Sequence, residues 1–439
     1  MALSGTCNAR ADMASPTRHD IEISNSITGI YRVPYHLRKL NEEAYRPQVL
    51  SIGPFHVQMS FGIFRDYKNS ERLQTMQVLK EEYSNSFWQR VTAESENRVN
   101  VEKPLPTIPE QTMKQIREFY GGTITLNDAR LSKLALEDAF FILELFLRCH
   151  SNIWPSEDPM FKESFLLPTV INDLLLLENQ LPFFFLEEMF QYASPMYSGV
   201  LSVRQLTFEF FKDFNVQNIS HENSDVKIQH FTDLLRTFLL PQSLWPSSTQ
   251  LPQRGNKKVK LLYSATQLQQ AGVKFKVSSN KCLVGLKFEN GVLEIPCLEF
   301  YDTTEALIRN IMALEQTRYI KNGYVTDYFF MLDFLVNTTK DMDLLCDNGI
   351  VDNYLGDNNE ATLIVNNLHK NILWVGLGTE YCKLCESLNA FYKDRWHIWK
   401  AILKQDYFST PCTTASTMAV AILLALTIIQ TVCSIRQVL

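Results

Sequence analysis

The sequence predicts a predominantly α-helical α+β protein with a small antiparallel β-sheet and a C-terminal transmembrane helix. Long stretches carry apolar residues at helical spacing, one short region alternates apolar and polar residues, and an uncharged apolar segment lies near the C-terminus. The chain has 439 residues, of which 46% are hydrophobic and 21% charged. This composition is typical of a folded protein with a large core.

The first 26 residues are predicted to form a disordered leader, because they are polar and lack the apolar stretch of a signal peptide. A helical N-terminal lobe is predicted over 27–240. Its first part is rich in proline, which favours extended and turn geometry, so we predict a short helix over 35–40 and a strand over 48–52. Longer helices are predicted over 70–90 and 131–148, and the second of these is apolar on almost every side and should be buried.

Pro182 interrupts another apolar helical stretch, over 169–190. Proline is favourable in the first turn of a helix and costly inside one, so one helix should end near Asn179 and a second should begin at Pro182. Glu178, Asn179 and Gln180 are polar residues in apolar surroundings at this break. They form either a binding cluster or a set of side chains that satisfy backbone groups left free at the helix ends.

Prolines and serines over 241–258 predict a linker to a C-terminal lobe over 259–406. Alternating residues over 273–277 predict a half-buried strand, and Asn290-Gly291 predicts a tight hairpin, because both central residues of its turn need positive φ. Residues 292–295 would complete the small antiparallel sheet. Further helices are predicted over 304–319, 327–338, 341–347, 360–371 and 381–405.

The chain has no charged side chain between Tyr407 and Ile435. A bilayer core needs about 20 apolar residues in a helix, so we predict a transmembrane helix over 413–435. The alternative is a buried terminal helix of the fold, which the polar residues Thr427, Gln430 and Thr431 favour. The apolar side chains of the predicted span include Met418, Ile422, Leu423, Leu424, Leu426, Ile428, Ile429 and Val432.

Basic residues are more frequent before this segment than after it. Lys393, Arg395, Lys400 and Lys404 precede it, whereas only Arg436 follows. The positive-inside bias therefore predicts a single-pass protein with a C-terminal anchor and a cytosolic body. The choice between the plasma membrane and an endomembrane stays open.

Charge and motif content narrow the classes of function. The net charge of −6 argues against a nucleic-acid partner, and nine scattered cysteines argue for reduced thiols. No phosphate-binding loop, nucleophile elbow or metal-ligand set is present, so we predict no cofactor, no metal and no catalytic residue. His36 and His56 are acid–base candidates by residue type, but the sequence gives them no recognisable catalytic partner.

Several short segments occur in the order that is typical of one family, and they carry the following residues: Val33, Pro34, Tyr45, Pro47, Gly53, Pro54 and His56, then Glu178, Asn179, Gln180 and Pro182, and finally Arg309, Asn310, Glu315 and Gln316. On these segments the chain resembles the plant "domain of unknown function 247" family from Ile30 to the C-terminus. The chain departs from the family pattern at Glu137-Asp-Ala-Phe-Phe141, where members usually carry Asp-Gly-Cys-Phe. It also departs at Thr410-Pro-Cys412, where tryptophan often follows the proline.

The resemblance implies a mostly helical plant protein with a C-terminal membrane span and no established enzyme activity. Some grass members are implicated as pollen-side determinants of self-incompatibility, which act by recognition. We therefore predict a membrane-anchored protein that acts by protein–protein recognition or signalling, with an unknown protein partner and either homo- or hetero-oligomers. The alternatives are an enzyme of the cytosolic membrane face, favoured by a deep pocket that gathers His36 or His56 with Glu178 or another carboxylate, and a degenerate copy without activity.

Overall fold

The computed structural model describes residues 29–60, 70–96, 106–193, 201–223, 225–244, 259–373, 376–394 and 411–438. The predicted leader over 1–26 lies outside these residues, as does most of the predicted linker, from 245 to 258. The predicted helix over 381–405 can be followed only as far as residue 394.

Helices dominate the described part of the chain, as predicted. They are α1 (Tyr35–Arg38), α2 (Pro54–Ser60), α3 (Ser70–Glu96), α4 (Glu110–Phe119), α5 (Asp128–Ser151), α6 (Pro159–Lys162), α7 (Leu166–Leu174), α8 (Phe183–Ala193), α9 (Val203–Phe210), α10 (Phe231–Leu239), α11 (Ala265–Gln270), α12 (Thr304–Thr317), α13 (Tyr324–Leu335), α14 (Thr339–Asp347), α15 (Asn358–Leu368), α16 (Thr379–Lys393) and α17 (Pro411–Val438).

The strands are short and form small sheets. They are β1 (Ile30–Tyr31), β2 (Tyr120–Gly121), β3 (Lys274–Val277), β4 (Lys287–Glu289), β5 (Val292–Ile295), β6 (Leu298–Phe300) and β7 (Val351–Asn353). β1 pairs with β2 and β6 pairs with β7, in both cases in parallel. The third sheet has the order β3-β5-β4.

The predicted hairpin is confirmed, but the prediction of an entirely antiparallel sheet is wrong. Asn290 and Gly291 have φ values of 50° and 77° and connect β4 to β5 in antiparallel pairing. The strand β3 instead pairs in parallel with β5. Alternation of apolar and polar residues reports which face of a strand is buried, and it carries no information on strand direction.

Helix α5 lies at the centre of the hydrophobic core. Its residues from Ala139 to Leu147 are buried, and it packs against α3, α8 and α9. At its C-terminal end the ring of Phe146 lies 4.4 Å from that of Phe210 in α9, measured between centroids. One large core cluster contains buried side chains from as early as Ile30 to as late as Leu388, so the same core includes residues of both predicted lobes.

The predicted strand over 48–52 is wrong. The segment forms no strand in the part of the chain that the structure describes, and its first two residues, Gln48 and Val49, lie in a bend. Its backbone N–H groups donate to buried side chains that lie far away in the sequence. The backbone of this segment therefore finds its partners in side chains and not in a neighbouring strand.

Residues 411–438 form the helix α17. Thr427 and Thr431 each donate a hydrogen bond to the carbonyl oxygen four residues earlier in this helix. A search of the described residues for a helix both long and apolar enough to cross a membrane found none, so the predicted transmembrane helix over 413–435 is not supported.

Candidate functional site

Asp173, at the C-terminal end of α7, holds the segment that follows Pro47. Its buried carboxylate accepts hydrogen bonds from the backbone N–H groups of Gln48, Val49 and Leu50, all at 2.8 Å. Burial raises the pKa of Asp173 to about 7, and these three hydrogen bonds act in the opposite direction by favouring the charged form. The carboxylate thus replaces the neighbouring strand that the segment lacks.

Asn179 and Gln180 occupy the break between α7 and α8. The amide of Asn179 accepts from the N–H of Ile52 at 2.7 Å and donates to the carbonyl oxygens of Leu50 and Asp173. Gln180 donates to the carbonyl oxygens of Leu174, the last residue of α7, and of Leu176 just beyond it, and it accepts from the N–H of Phe231 at 2.8 Å. Both amides therefore satisfy backbone groups at the helix ends, which matches the structural interpretation of this polar cluster.

Glu178 connects the same break to the N-terminal segment. One carboxylate oxygen, Oε1, accepts from the N–H of Val33 at 2.6 Å and pairs with Arg38 at 2.5 Å. The other oxygen, Oε2, is buried and has no hydrogen-bond partner among the described residues. Val33 itself is buried in a small apolar cluster with Tyr45 and Leu177.

Gly53 makes the closest backbone approach in this region. It has a φ of +72°, and a Cβ atom added there would lie 2.6 Å from the carbonyl oxygen of Gln180. That oxygen also accepts a hydrogen bond from Tyr120. The N–H of Gly53 donates to Asp138, whose other carboxylate oxygen pairs with the buried Lys80 at 2.6 Å.

Three of the four prolines in the family segments, all except Pro47, lie where helices begin. Pro34 directly precedes α1, Pro54 is the first residue of α2, and Pro182 directly precedes α8. Proline fits these positions because its φ is already helical and no intrahelical bond is lost there. The helix break predicted at Pro182 is confirmed.

The family residues of α12 also form hydrogen bonds and ion pairs with other residues of the protein. Asn310 accepts from the N–H of Leu177 at 2.9 Å and donates to the carbonyl oxygen of Ala44 at 2.7 Å, which ties α12 to the N-terminal segments. Arg309 pairs with Glu305 at 2.7 Å.

Glu315 and Gln316, one and a half turns further along α12, connect it to two other segments. Glu315 forms a buried ion pair with Arg236 at 2.8 Å, and Gln316 accepts from the N–H of Leu373.

The two histidine candidates do not meet in a catalytic arrangement. Burial, assisted by the charges of nearby arginines, lowers the pKa of His56 to about 3, so this ring is neutral at physiological pH. A base with so low a pKa is poorly matched to neutral conditions. His36 is exposed, and its carbonyl oxygen accepts from Asn371.

A groove of about 730 Å³ opens at the C-terminal end of α5, between that helix, α7 and α9. Aromatic side chains line much of it, including Phe146, Trp154, Phe161 and Phe210. Trp154 and Phe161 stack with their ring centroids 6.4 Å apart. The groove is therefore an aromatic cleft that is open to solvent.

Exposed apolar side chains surround this groove. Phe161 is 63% exposed, and Ile153 and Phe165, each next in sequence to a lining residue, are 71% and 56% exposed. His150 Nδ1 and Glu209 Oε2 lie 2.5 Å apart in the lining. Although partial burial opposes it, hydrogen bonds from Gln205 and His150 lower the pKa of Glu209, so this carboxylate stays ionised.

Among the described residues, no group of three or more histidine, cysteine, aspartate or glutamate side chains is arranged to hold a metal ion. Cys382 and Cys385, the pair with metal-like spacing, are buried in α16. Burial raises the pKa of Cys385 to about 12, so its thiol is protonated at neutral pH.

The apolar side chains of α17 that the structure describes are exposed. Val432 is in the helix, but its side chain lies outside those that the structure describes. The exposed apolar side chains of the predicted span are Met418, Ile422, Leu423, Leu424, Leu426, Ile428 and Ile429.

These features define a mostly helical α+β protein in which the polar residues of the family segments form hydrogen bonds and ion pairs within the fold. The model of the family described as "plant protein of unknown function" (DUF247) matches residues 30–426, and the chain belongs to this family.

Two relatives from Arabidopsis thaliana are similar to it. UPF0481 protein At3g47200 is 28% identical over 433 residues, which cover 93% of this chain and 87% of that protein. Putative UPF0481 protein At3g02645 is 25% identical over 169 residues, covering 38% and 32% of the two chains. No solved structure matches the chain.

Reasoning from the sequence missed the groove. Its lining residues come from four separate elements and form no short motif. One signal was present: Ile153, Trp154, Phe161 and Phe165 are large apolar residues in a stretch with two prolines and three acidic residues between two apolar helices. Apolar residues that interrupt such a polar connection are candidates for a binding surface.

Proposed function

We propose that this protein is a plant recognition protein that binds a protein partner through the groove beside α5 and is held at a membrane by α17. The observation that carries the proposal is the set of large apolar side chains exposed around that groove, namely Ile153, Phe161 and Phe165. Contiguous exposed apolar surface costs solubility and is characteristic of interaction sites, and aromatic anchors contribute much of the binding energy in interfaces.

The distribution of polar side chains also supports recognition over catalysis. Asp173, Asn179 and Gln180 use their polar atoms to hold backbone groups, and Glu315 holds Arg236. A catalytic group must instead reach a substrate in a cavity. The family segments therefore build a rigid body, and binding is assigned to surface residues elsewhere.

The membrane part of the proposal rests on α17 and its flanking charges. Apolar side chains are exposed at several successive positions of this helix, from Met418 to Ile429. A lipid environment would remove that apolar surface from water. Basic residues before the helix favour a cytosolic body.

Signalling in self-incompatibility is the most specific form of the proposal. It rests on the family resemblance alone. The partner would then be a protein that differs between plants that accept and plants that reject each other's pollen.

Proximity labelling with the full-length chain in pollen and in leaf tests the groove. Phe161→Ser should remove a reproducible set of labelled proteins, because it removes an exposed aromatic anchor without opening a buried cavity. Leu262→Ser is the matched control, since Leu262 is 58% exposed and lies outside the groove. An unchanged set of labelled proteins in the Phe161 variant would contradict the proposal.

Assays of the same full-length chain distinguish the two alternatives, an enzyme and a degenerate copy without activity. Turnover of a metabolite by the protein, lost in His150→Asn, would favour an enzyme that uses the His150–Glu209 pair. Neither labelled partners nor turnover would favour a degenerate copy. Recovery of the full-length chain apart from the membrane fraction, before any extraction, would contradict the membrane attachment.

A further inference from the structure

A second exposed surface lies on the sheet formed by β6 and β7. Four side chains make up this tyrosine–carboxylate face: Glu299, Tyr301, Asp352 and Tyr354. Glu299 and Asp352 are directly paired in the parallel register, and the N–H of Tyr354 donates to Phe300 and extends the pairing. Because successive side chains of a strand alternate between faces, residues 299 and 301 share a face, as do 352 and 354.

The two carboxylates of this face lie side by side without a cation. Neither Glu299 nor Asp352 forms an ion pair within the described part of the chain. Each uses one oxygen to accept from a tyrosine, Tyr301 or Tyr354, at 2.9 Å. Like charges at adjacent positions of neighbouring strands are destabilising, so this pairing is a cost to the folded chain on its own.

The two tyrosines form a flat aromatic surface next to these charges. Their rings stack with centroids 4.6 Å apart and an interplanar angle of 7°. Tyr301 is 44% exposed and Tyr354 is 55% exposed, so the outer surface of the stack is open to solvent. The hydrogen bond to Glu299 raises the pKa of Tyr301 to about 12, so Tyr301 stays neutral and the charge of the face comes from its carboxylates.

We propose that the tyrosine–carboxylate face binds an arginine side chain of a protein partner. The inference goes beyond the groove, with which this face shares no residue, and it rests on the proposed recognition function for the partner being a protein.

The guanidinium is the cation that fits both halves of the face. It is planar, it stacks on aromatic rings, and its N–H groups match carboxylate oxygens in pairs. The second oxygen of each carboxylate accepts no hydrogen bond among the described residues and is available for such contacts. A phosphate-bearing ligand would be repelled by the two negative charges, and the compact ammonium of lysine would use the aromatic surface less well.

The test uses the full-length chain in detergent and a fluorescently labelled peptide that carries four arginines between glycines. Binding is followed by fluorescence anisotropy at low ionic strength. Glu299→Gln with Asp352→Asn should raise the Kd by about tenfold or more, because charge-assisted hydrogen bonds are lost. Tyr301→Leu should also weaken binding, and a peptide with citrulline in place of arginine should not bind.

The matched control is Asp213→Asn with Glu222→Gln, which makes the same change of net charge at exposed positions far away in the sequence. It should leave the Kd within about twofold, because it changes no group of the tyrosine–carboxylate face. An equal loss in both double variants would show a response to net charge alone, and no loss in the first would show binding elsewhere. Either result overturns the inference.

These outcomes are independent of the labelling experiment on the groove. If arginine binding fails while labelled partners still depend on Phe161, the inference is wrong and the proposed recognition function stands. If arginine binding is found but no protein partner depends on the groove, the proposed function fails as stated. Circular dichroism of each variant shows whether the exposed substitutions leave the fold intact.

Discussion

The break between α7 and α8 and the tyrosine–carboxylate face use carboxylates in opposite ways. At the break, Asp173 is buried and its oxygens accept three backbone N–H groups. On the face, Glu299 and Asp352 are exposed, adjacent and without a cationic partner among the described residues. In the first arrangement the carboxylate makes its hydrogen bonds within the fold. The second arrangement leaves a repulsion between two like charges that a cationic partner can relieve.

On the proposed function, the difference explains why the family residues do not mark the binding surfaces. A residue that holds several backbone groups in the core is constrained by the architecture, whatever the protein binds. A residue on an exposed face is constrained only by its partner. The functional surfaces of such a protein are therefore expected among residues that the family segments do not mark.

The largest loss of stability is expected when the buried ion pair between Arg236 and Glu315 is broken. Arg236 and Glu315 are almost fully buried and paired at 2.8 Å, and the guanidinium also lies 4.1 Å from the centroid of the Tyr319 ring. Arg236→Met should lower the free energy of unfolding by about 3–5 kcal/mol, because it leaves the Glu315 charge buried without its cation. Urea denaturation of the purified protein measures the change.

An exposed ion pair is the control for this prediction. Lys287 and Glu289 lie 3.0 Å apart, with side chains that are 60% and 63% exposed. Lys287→Met should change the free energy of unfolding by less than about 0.5 kcal/mol. A cost below about 1 kcal/mol for Arg236→Met would show that the interior does not depend on this pair in the way that buried pairs usually do.

A smaller effect is expected from Gly53→Ala. The residue has a positive φ, and a Cβ atom would lie 2.6 Å from a backbone oxygen that cannot move without disturbing the break. We expect a loss of about 2–4 kcal/mol, from the left-handed conformation and from the forced displacement together. The midpoint of urea denaturation again reports it.

A substitution at Gly356 separates the cost of the left-handed conformation from the cost of the close approach at Gly53. It also has a positive φ, at +83°, but a Cβ atom there would meet nothing within 4 Å. Gly356→Ala should cost only about 1–2 kcal/mol, the conformational part alone. Equal costs at the two positions would mean that the close approach at Gly53 contributes nothing to stability.

Local rules predicted the parts of the fold that depend on neighbouring residues. Pro182 ends one helix and begins another through its own ring and missing N–H, and Asn290-Gly291 turns the chain through positive φ. The structural interpretation of Asn179 and Gln180 followed from the same proline, because a helix break leaves backbone groups that need partners.

Contacts over long sequence separations were not predictable in this way. The segment after Pro47 has the pattern of a strand, yet its partner is Asp173, 123 to 125 residues away. The groove brings together Trp154 and Phe210, and the tyrosine–carboxylate face brings together Tyr301 and Tyr354. Which of these side chains are exposed depends on the packing of the whole chain, and the local pattern does not contain that information.

The smallest expected change in stability concerns the tyrosine–carboxylate face, and it is a gain where the other variants lose stability. Glu299→Gln with Asp352→Asn removes a repulsion and keeps oxygens that accept from Tyr301 and Tyr354. The free energy of unfolding should rise by up to about 1 kcal/mol at low ionic strength, and the gain should shrink in about 1 M salt, where charges are screened. Urea denaturation at both salt concentrations measures this. A loss of stability would mean that the two carboxylates support the fold as Asp173 does, and the contrast between interior and face would then disappear.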